Sequence, residues 1–251
     1  MSDLLYGINP VVEALRGSRR KPQELLLQDD ARSPRLEELQ QTARQQNIPV
    51  RLCRRQELDK LAGNNRHQGV LLRISPFPYI DIDELIVRAR QSDRPVFILI
   101  LDGITDPHNF GAILRSADAV GCHGVIVAKD RSCPVTGVVE KSAAGALSHI
   151  PLCQVTNLAR TMDRLREEHV WLYGLAGEEG ASSLYDIDLK GDLALVVGSE
   201  GSGLRPVVRK RCDLFLSIPM AGGVSSLNAS VAAAVTLFEV VRQRVEKKGR
   251  N

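Results

Sequence analysis

VFILILDGITDPHNFGAILRSADAVG, residues 96–121, sets an unbroken apolar run against a polar turn and then a helical pattern. A strand buried on both faces reads as such a run, without polar alternation. After the turn, Ile113, Ala117 and Val120 recur at spacings of four and three, one face of a helix. Similar apolar runs follow at 124–128, 170–175, 193–197 and 214–218, with helix-like stretches at 109–120, 135–146, 157–168 and 206–210. Strand alternating with helix predicts an α/β fold with a mostly parallel sheet covered on both sides.

Upstream the texture changes. SPFPYIDIDELIVRARQSDR, 75–94, opens with two prolines and reads as a linker carrying a short helix at 83–91. Before it, Asn9-Pro10 and Ser33-Pro34 look like cap-then-proline helix starts, and short apolar runs stand at 25–27, 50–53 and 69–74. The expected organisation is a small α/β domain at 1–75, a linker at 76–94 and the larger α/β domain at 95–251. The all-polar loop Gly63-Asn64-Asn65-Arg66-His67-Gln68 reads equally as a surface loop and as an RNA contact.

Composition narrows the classes. The chain has 251 residues, 43% hydrophobic and 25% charged, an ordinary globular balance that excludes low-complexity and collagen-like chains. Aromatics at 4% argue against a stacking platform as the main nucleic-acid surface. No apolar run approaches the roughly 20 residues of a membrane helix, and the start lacks a signal-peptide pattern. Five scattered cysteines without a CxxC point to free thiols in a reducing cytoplasm, with no metal site. Residues 1–76 hold 13 Lys and Arg against 9 Asp and Glu, whereas 95–251 hold 17 of each. The local excess fits a phosphate-rich partner or a solvated surface.

Three stretches carry the chemistry. In the first, Arg115 lies two residues past Ile113, roughly 200° round the helix and away from its packed face. Asp106, His108 and Asn109 cluster in the turn before it, Asn109 placed as the helix cap. The carboxyl edge of a parallel sheet is where ligands bind. In LALVVGSEGSGLRP, 193–206, a strand runs into Gly198-Ser199-Glu200-Gly201-Ser202-Gly203. This is neither the dinucleotide glycine order nor a P-loop, which weighs against a Rossmann dehydrogenase or ATPase. Its glycines allow close approach of a ligand, and a carboxylate there suits a cation or a hydroxyl. In LSIPMAGGVSSLNASVAAAVTLFEVVRQR, 216–244, a flexible Gly222-Gly223 segment leads to Ser225-Ser226-Leu227-Asn228. Ser225 or Ser226 can cap the long helix that follows, whose Val231, Val235, Phe238 and Val245 fall on one side for core or dimer packing.

Asn109-x5-Arg115-Ser116-Ala117, Gly198-x-Glu200-x2-Gly203-Leu204, and Ile218-Pro219 with Ser226-Leu227-Asn228 occur in the order found in the SpoU (TrmH-type) RNA ribose 2′-O-methyltransferases, which the chain resembles over almost its whole length. YGINPVVEAL, HQGV, DGITDPHNFGA and IPMAGGVSSLN are similar to the subgroup that methylates one guanosine in the peptidyl-transferase region of bacterial 23S rRNA. The resemblance implies a trefoil-knot methyltransferase domain at 95–251 and an L30e-like RNA-binding domain at 1–75. It also implies S-adenosylmethionine as cofactor, 23S rRNA or a large-subunit assembly intermediate as substrate, and a homodimer formed through the helix after Asn228. On matching positions, Gly198, Ile218 and Leu227 would line the cofactor site and Ser226 would contact either ligand. Arg115 would be catalytic, with Asn109, Glu200 and Asn228 as its polar partners, and Glu200 would hold Arg115 or accept a ribose hydroxyl. A guanidinium is a very poor base, so Arg115 suits phosphate binding and oxyanion stabilisation better. A tRNA methyltransferase and a catalytically silent ribosomal RNA-binding protein remain as alternatives.

Overall fold

The computed structural model describes residues 3–16, 20–29, 33–177 and 180–245. They form two compact units, Met1–Pro78 with Val135–Val138 and Tyr79–Pro134 with Val139–Asn251.

The first unit runs β1 (Asp3–Tyr6), α1 (Ile8–Arg16), β2 (Pro22–Gln28), α2 (Pro34–Gln45), β3 (Val50–Cys53), α3 (Arg55–Ala62) and β4 (Val70–Ile74). Its sheet has the order β1-β4-β2-β3, with β2 and β3 parallel and β4 antiparallel to both neighbours. The alternation within β2 and β4 divides the core. Leu25, Leu27, Val70 and Leu72 pack with Val11 of α1 and Leu36 and Leu39 of α2. Leu26 and Leu71 pack with Leu58 of α3 on the other face. The start of α1 differs from expectation. Gly7, not Asn9, accepts the first helical bond, and the Ile8 N–H donates to Gln68 Oε1 at 2.9 Å. A side chain sixty residues away does the capping, so the Asn9-Pro10 pair alone misplaces the start.

The second unit runs α4 (Ile82–Arg90), β5 (Phe97–Asp102), α5 (Pro107–Ala119), β6 (Gly124–Ala128), α6 (Gly137–Ala143), β7 (Leu152–Val155), α7 (Leu158–Glu167), β8 (Trp171–Leu175), β9 (Ser182–Ser183), β10 (Leu193–Gly198), α8 (Pro206–Arg209), β11 (Leu214–Ser217) and α9 (Ala229–Val245). All seven strands are parallel, in the order β7-β6-β5-β10-β8-β11-β9. One face buries Ile98, Ile100 and Ile126 against α4, α7 and α8. On the other, α5 and α9 pack against each other.

The segment expected as a linker belongs to this unit. Ile80 N–H donates to Leu152 O at 2.9 Å, Asp81 caps α4 by accepting from Glu84 N–H, and Leu85 and Ile86 enter the core. Burying each of these two is worth roughly 1.5–3 kcal/mol, more than a solvated linker helix could gain. The two prolines mark a boundary, but it falls at residue 78.

The amino ends of the strands are closed by polar groups. Arg244 donates to Pro95 O, Val96 O and Gly191 O and stacks over the Phe97 ring. Asp192 accepts from Val96 N–H at 2.7 Å and pairs with Arg90. Burial raises the pKa of Asp192, but the Arg90 and Val96 hydrogen bonds outweigh that and leave it lowered. His123 Nδ1 accepts from Phe97 N–H at 3.0 Å. Its ring is therefore neutral with hydrogen on Nε2, and burial, followed by the charge of Arg94, lowers its pKa.

Candidate active site

At the carboxyl end of β5 the apolar run closes on Asp102, which is buried. Its carboxylate accepts from the backbone N–H of Arg205 at 2.8 Å and from Arg205 Nε at 2.6 Å. That pair ties the residue following the glycine loop to the end of the neighbouring strand. A buried carboxylate needs such partners.

The loop between β10 and Arg205 is folded on itself. Ser199 and Gly203 exchange both backbone hydrogen bonds, at 3.1 and 3.0 Å, and the Ser199 and Ser202 hydroxyls lie 2.6 Å apart. Gly201 and Gly203 take the positive φ values of 78° and 63° that such a turn demands. A Cβ on Gly198 would lie 2.3 Å from the Gly203 carbonyl carbon. The space at Gly198 is thus filled by the chain's own backbone. This corrects the expectation that the glycine leaves room for a ligand: its role is to let the loop close and carry Glu200 at the tip.

Glu200 meets two asparagines there. Its Oε1 accepts from Asn109 Nδ2 at 3.1 Å, from Asn228 Nδ2, and from the Ala229 N–H at 3.2 Å. Asn228 Nδ2 also donates to Asn109 Oδ1 at 3.0 Å. Both asparagines hold positions other than those expected from the sequence. Asp106 is the cap of α5, accepting from the Asn109 backbone N–H, with Pro107 in the first turn. Asn109 then sits inside the helix with its amide free to reach Glu200. Asn228, not Ser225 or Ser226, caps α9, its Oδ1 accepting from the N–H groups of Ser230 and Val231. The three motifs converge on one carboxylate.

Arg115 is not part of this cluster. It is exposed and makes no hydrogen bond or ion pair among the described residues. It lies six residues beyond Asn109, about 9 Å along the helix. Of the two roles expected of Glu200, holding Arg115 does not occur, since the carboxylate is held by the asparagines, and accepting a ribose hydroxyl stays open. His108 makes one long contact, Nδ1 to Ser142 Oγ at 3.4 Å.

The remaining expected site residues lie on 218–227. Ile218 and Leu227 are half-buried and Ser226 is exposed, as are Met220 and Val224. Among the described residues, the backbone of 219–227 makes no hydrogen bond. Open backbone donors and acceptors beside apolar side chains are what the edge and faces of an adenine ring require. The segment fits a nucleoside-containing cofactor on that ground. Asp102 and Arg205 escaped the sequence reading, although an aspartate ending a wholly apolar run was a readable signal of a buried, partnered carboxylate.

Comparison with known proteins places these features among relatives. Residues 96–238 match the model of the SpoU rRNA methylase family, and residues 4–80 match that of the RNA 2′-O ribose methyltransferase substrate-binding domain. The chain is 46% identical to the 23S rRNA (guanosine-2′-O-)-methyltransferase RlmB of Escherichia coli K12 over 97% of its own length and 100% of the relative's. It is 47% identical to the protein of the same name from Shewanella oneidensis, over 96% of this chain and 98% of that one. Among solved structures, the SpoU methyltransferase AviRb from Streptomyces viridochromogenes, in complex with AdoMet, aligns with a TM-score of 0.67 at 30% identity, covering 97% of this chain and 91% of the other.

Proposed function

Because the chain belongs to the SpoU rRNA methylase family, we propose that it transfers a methyl group from S-adenosylmethionine to the ribose 2′-oxygen of a guanosine in 23S rRNA, in the peptidyl-transferase region. The observation that carries this reading is the meeting of Asn109, Glu200 and Asn228, one from each motif, at the carboxyl ends of β5 and β10. Methyl transfer would form an O–CH3 bond as the S–CH3 bond breaks, with that bond's electron pair staying on sulfur and the hydroxyl proton passing to water. The cofactor supplies an activated methyl on a sulfonium.

The chain's residues position and stabilise. Ile218 and Leu227, at the two ends of the segment whose backbone is open at 219–227, would hold the adenosine. Ser226, exposed at its end, contacts either ligand. The clasped loop after Gly198 aims Glu200. One Glu200 oxygen takes three donors, and its second oxygen can accept a hydrogen bond from a ribose hydroxyl. Arg115, exposed and unpaired, binds the phosphate beside the target ribose and stabilises the alkoxide that forms.

The first unit is the L30e-like RNA-binding module and the second the trefoil-knot methyltransferase domain. The enzyme is a cytoplasmic homodimer acting on 23S rRNA or a large-subunit assembly intermediate. Val231, Phe238 and Val245, spaced by seven along α9, are 47%, 52% and 62% exposed, whereas Ala233, Leu237 and Val240 are buried. That exposed stripe, with Val235 half-buried beside it, supports dimerisation. No helix among the described residues is long and apolar enough to cross a membrane.

The test uses the purified chain, methyl-labelled cofactor, and transcripts of 23S rRNA and tRNA. Label should enter one guanosine 2′-oxygen of 23S rRNA. Label in tRNA alone, or cofactor binding without transfer to any RNA, would overturn the reading.

A further inference from the structure

The basic excess of the first unit is not spread evenly over its sheet. At the edge where β2 begins and β4 ends, three arginines are neutralised, while Lys21 and, at the end of α2, Arg44 stay exposed. Arg20, buried, pairs with Asp3, Arg73 pairs with Glu24 at 3.0 Å, and Arg51 bonds Glu57 at 2.8 Å with Glu24 nearby. At the opposite edge, where β1, β2 and β3 end and β4 begins, Arg35, Arg54, Arg55 and Arg66 are exposed and have no hydrogen-bond or ion-pair partner for their side chains among the described residues. Among the described residues, the acids near them in the chain include Asp29 and Glu37, with Asp59 committed to His67 and Glu57 to Arg51. Helices α1, α2 and α3 all start at this edge, adding the positive ends of their dipoles.

The same edge carries an exposed aromatic ring. Tyr6 ends β1 opposite Leu71 and is 43% exposed. The loop bearing Arg66 is rigidly held. His67, 2% exposed, contacts Asp59 Oδ1 at 2.9 Å and accepts from Gly69 N–H at 3.0 Å. Gln68 Oε1 takes the Ile8 N–H, and Asn64 Oδ1 takes the Arg66 N–H at 2.9 Å. Arg66 is therefore presented without first ordering its loop, which saves the entropy that a floppy contact would lose.

We infer that this edge is the RNA-reading face of the first unit, with Tyr6 stacking on an unpaired base and Arg54, Arg55 and Arg66 holding the flanking phosphates. An aromatic ring amid unpaired arginines matches single-stranded or looped RNA, whose splayed bases stack while its phosphates need cations. A duplex offers no free base to Tyr6. The inference rests on the proposed rRNA substrate and adds the surface and residues that grip it.

The test measures binding of the full-length protein to a 23S rRNA fragment across a salt series, with cofactor binding recorded in parallel. The triple variant Arg54→Ala, Arg55→Ala, Arg66→Ala should weaken binding on the order of 10–100-fold and flatten the log–log salt slope by about 2, some 0.7 per lost phosphate contact. Tyr6→Ala should weaken binding about tenfold with the slope unchanged, and Tyr6→Phe should restore it. Lys21→Ala and Arg44→Ala remove equally exposed charges from the opposite end of the unit and should change binding less than about twofold. Cofactor affinity should stay constant throughout. If the wild type binds and methylates the fragment but the edge variants match it in affinity and slope, the RNA is held elsewhere and the inference is wrong. If the wild type itself neither binds nor methylates the fragment, the rRNA reading falls, and this face with it. Should Tyr6→Ala unfold, the arginine variant and Tyr6→Phe still decide the matter.

Discussion

The loop at 198–203 and the segment at 219–227 border the same candidate site, yet they are built in opposite ways. The first satisfies its own backbone, closes over Gly198 and is moored to β5 through Asp102 and Arg205. The second makes no backbone hydrogen bond among the described residues and leaves Met220 and Val224 exposed. A glycine-rich stretch can thus be a fixed mount or an open receptor, and glycine content does not tell which. What tells them apart is where the backbone hydrogen bonds go.

Gly198→Val is the strongest way to break that contrast. Its branched side chain must displace the Gly203–Leu204 backbone, at a cost of roughly 1–3 kcal/mol, which corresponds to a fall in Tm of roughly 2–12 °C. Glu200 is dislodged with the loop, so methyl transfer should be lost altogether. Gly222→Ala in the open segment, where a Cβ meets nothing within 4 Å, should leave Tm unchanged. Equal melting curves for the two variants would show that the first loop is not self-folded.

Next in size is Arg115→Ala. This side chain holds nothing in place, so Tm and cofactor affinity should stay at wild-type values while single-turnover methylation drops on the order of 10²–10³. Arg115→Lys keeps the charge without the planar fork. It should recover part of the rate with an unchanged pH profile, and a profile displaced to lower pH would instead mark Arg115 as the base. A wild-type rate for Arg115→Ala would return it to the solvated surface.

Amide hydrogen exchange sharpens the comparison without any mutation. Saturating S-adenosylmethionine should slow exchange across 219–227 by about tenfold or more, because free N–H groups gain partners, and change 199–203 little. Comparable protection in both stretches would mean that the clasped loop also binds the ligand.

The smallest effect lies at the far ends of the strands and serves as a control. His123 has a folded-state pKa below its ordinary 6.5, so the unfolded chain takes up the proton first. Its contribution to stability is complete above pH 6.5 and shrinks as pH falls toward the folded-state value. Tm should decline modestly between pH 7.5 and 5.5, and His123→Asn should reduce that decline. The exchange contrast between the two loops should persist across this range.

Some of this molecule could be read directly from its residues. The runs that became β5 and β10 were plain because, up to Leu101 and Val197, both faces of these central strands are buried and apolar. Strand β1, with four residues of mixed exposure, and β9, with two, carry too little pattern to register. Strand β7 shows only two fully buried side chains. The site residues Asn109, Glu200 and Asn228 were named from their motifs, but their mutual bonds span 28 to 119 positions and no local spacing encodes them. Local chemistry also misplaced the caps. Asp106 and Asn109 are both good capping residues, and Pro107 after Asp106 decides between them. The basic excess of 1–76 was countable, whereas the grouping of Arg54, Arg55 and Arg66 without acids at one edge depends on which arginines find acids in three dimensions.

The pairing of Phe97 with Leu193 has a consequence for how the protein is made. Strand β5 leaves the ribosome about 100 residues ahead of β10, the strand that covers one of its edges. At ~5–20 residues per second that edge stands open for roughly 5–20 s during synthesis. It is an edge of unpaired backbone groups on a strand that is apolar up to Asp102, the kind that recruits a strand from another chain. Slowed translation between residues 103 and 192 would lengthen this interval, and the soluble yield should then fall even though the finished sequence is the same.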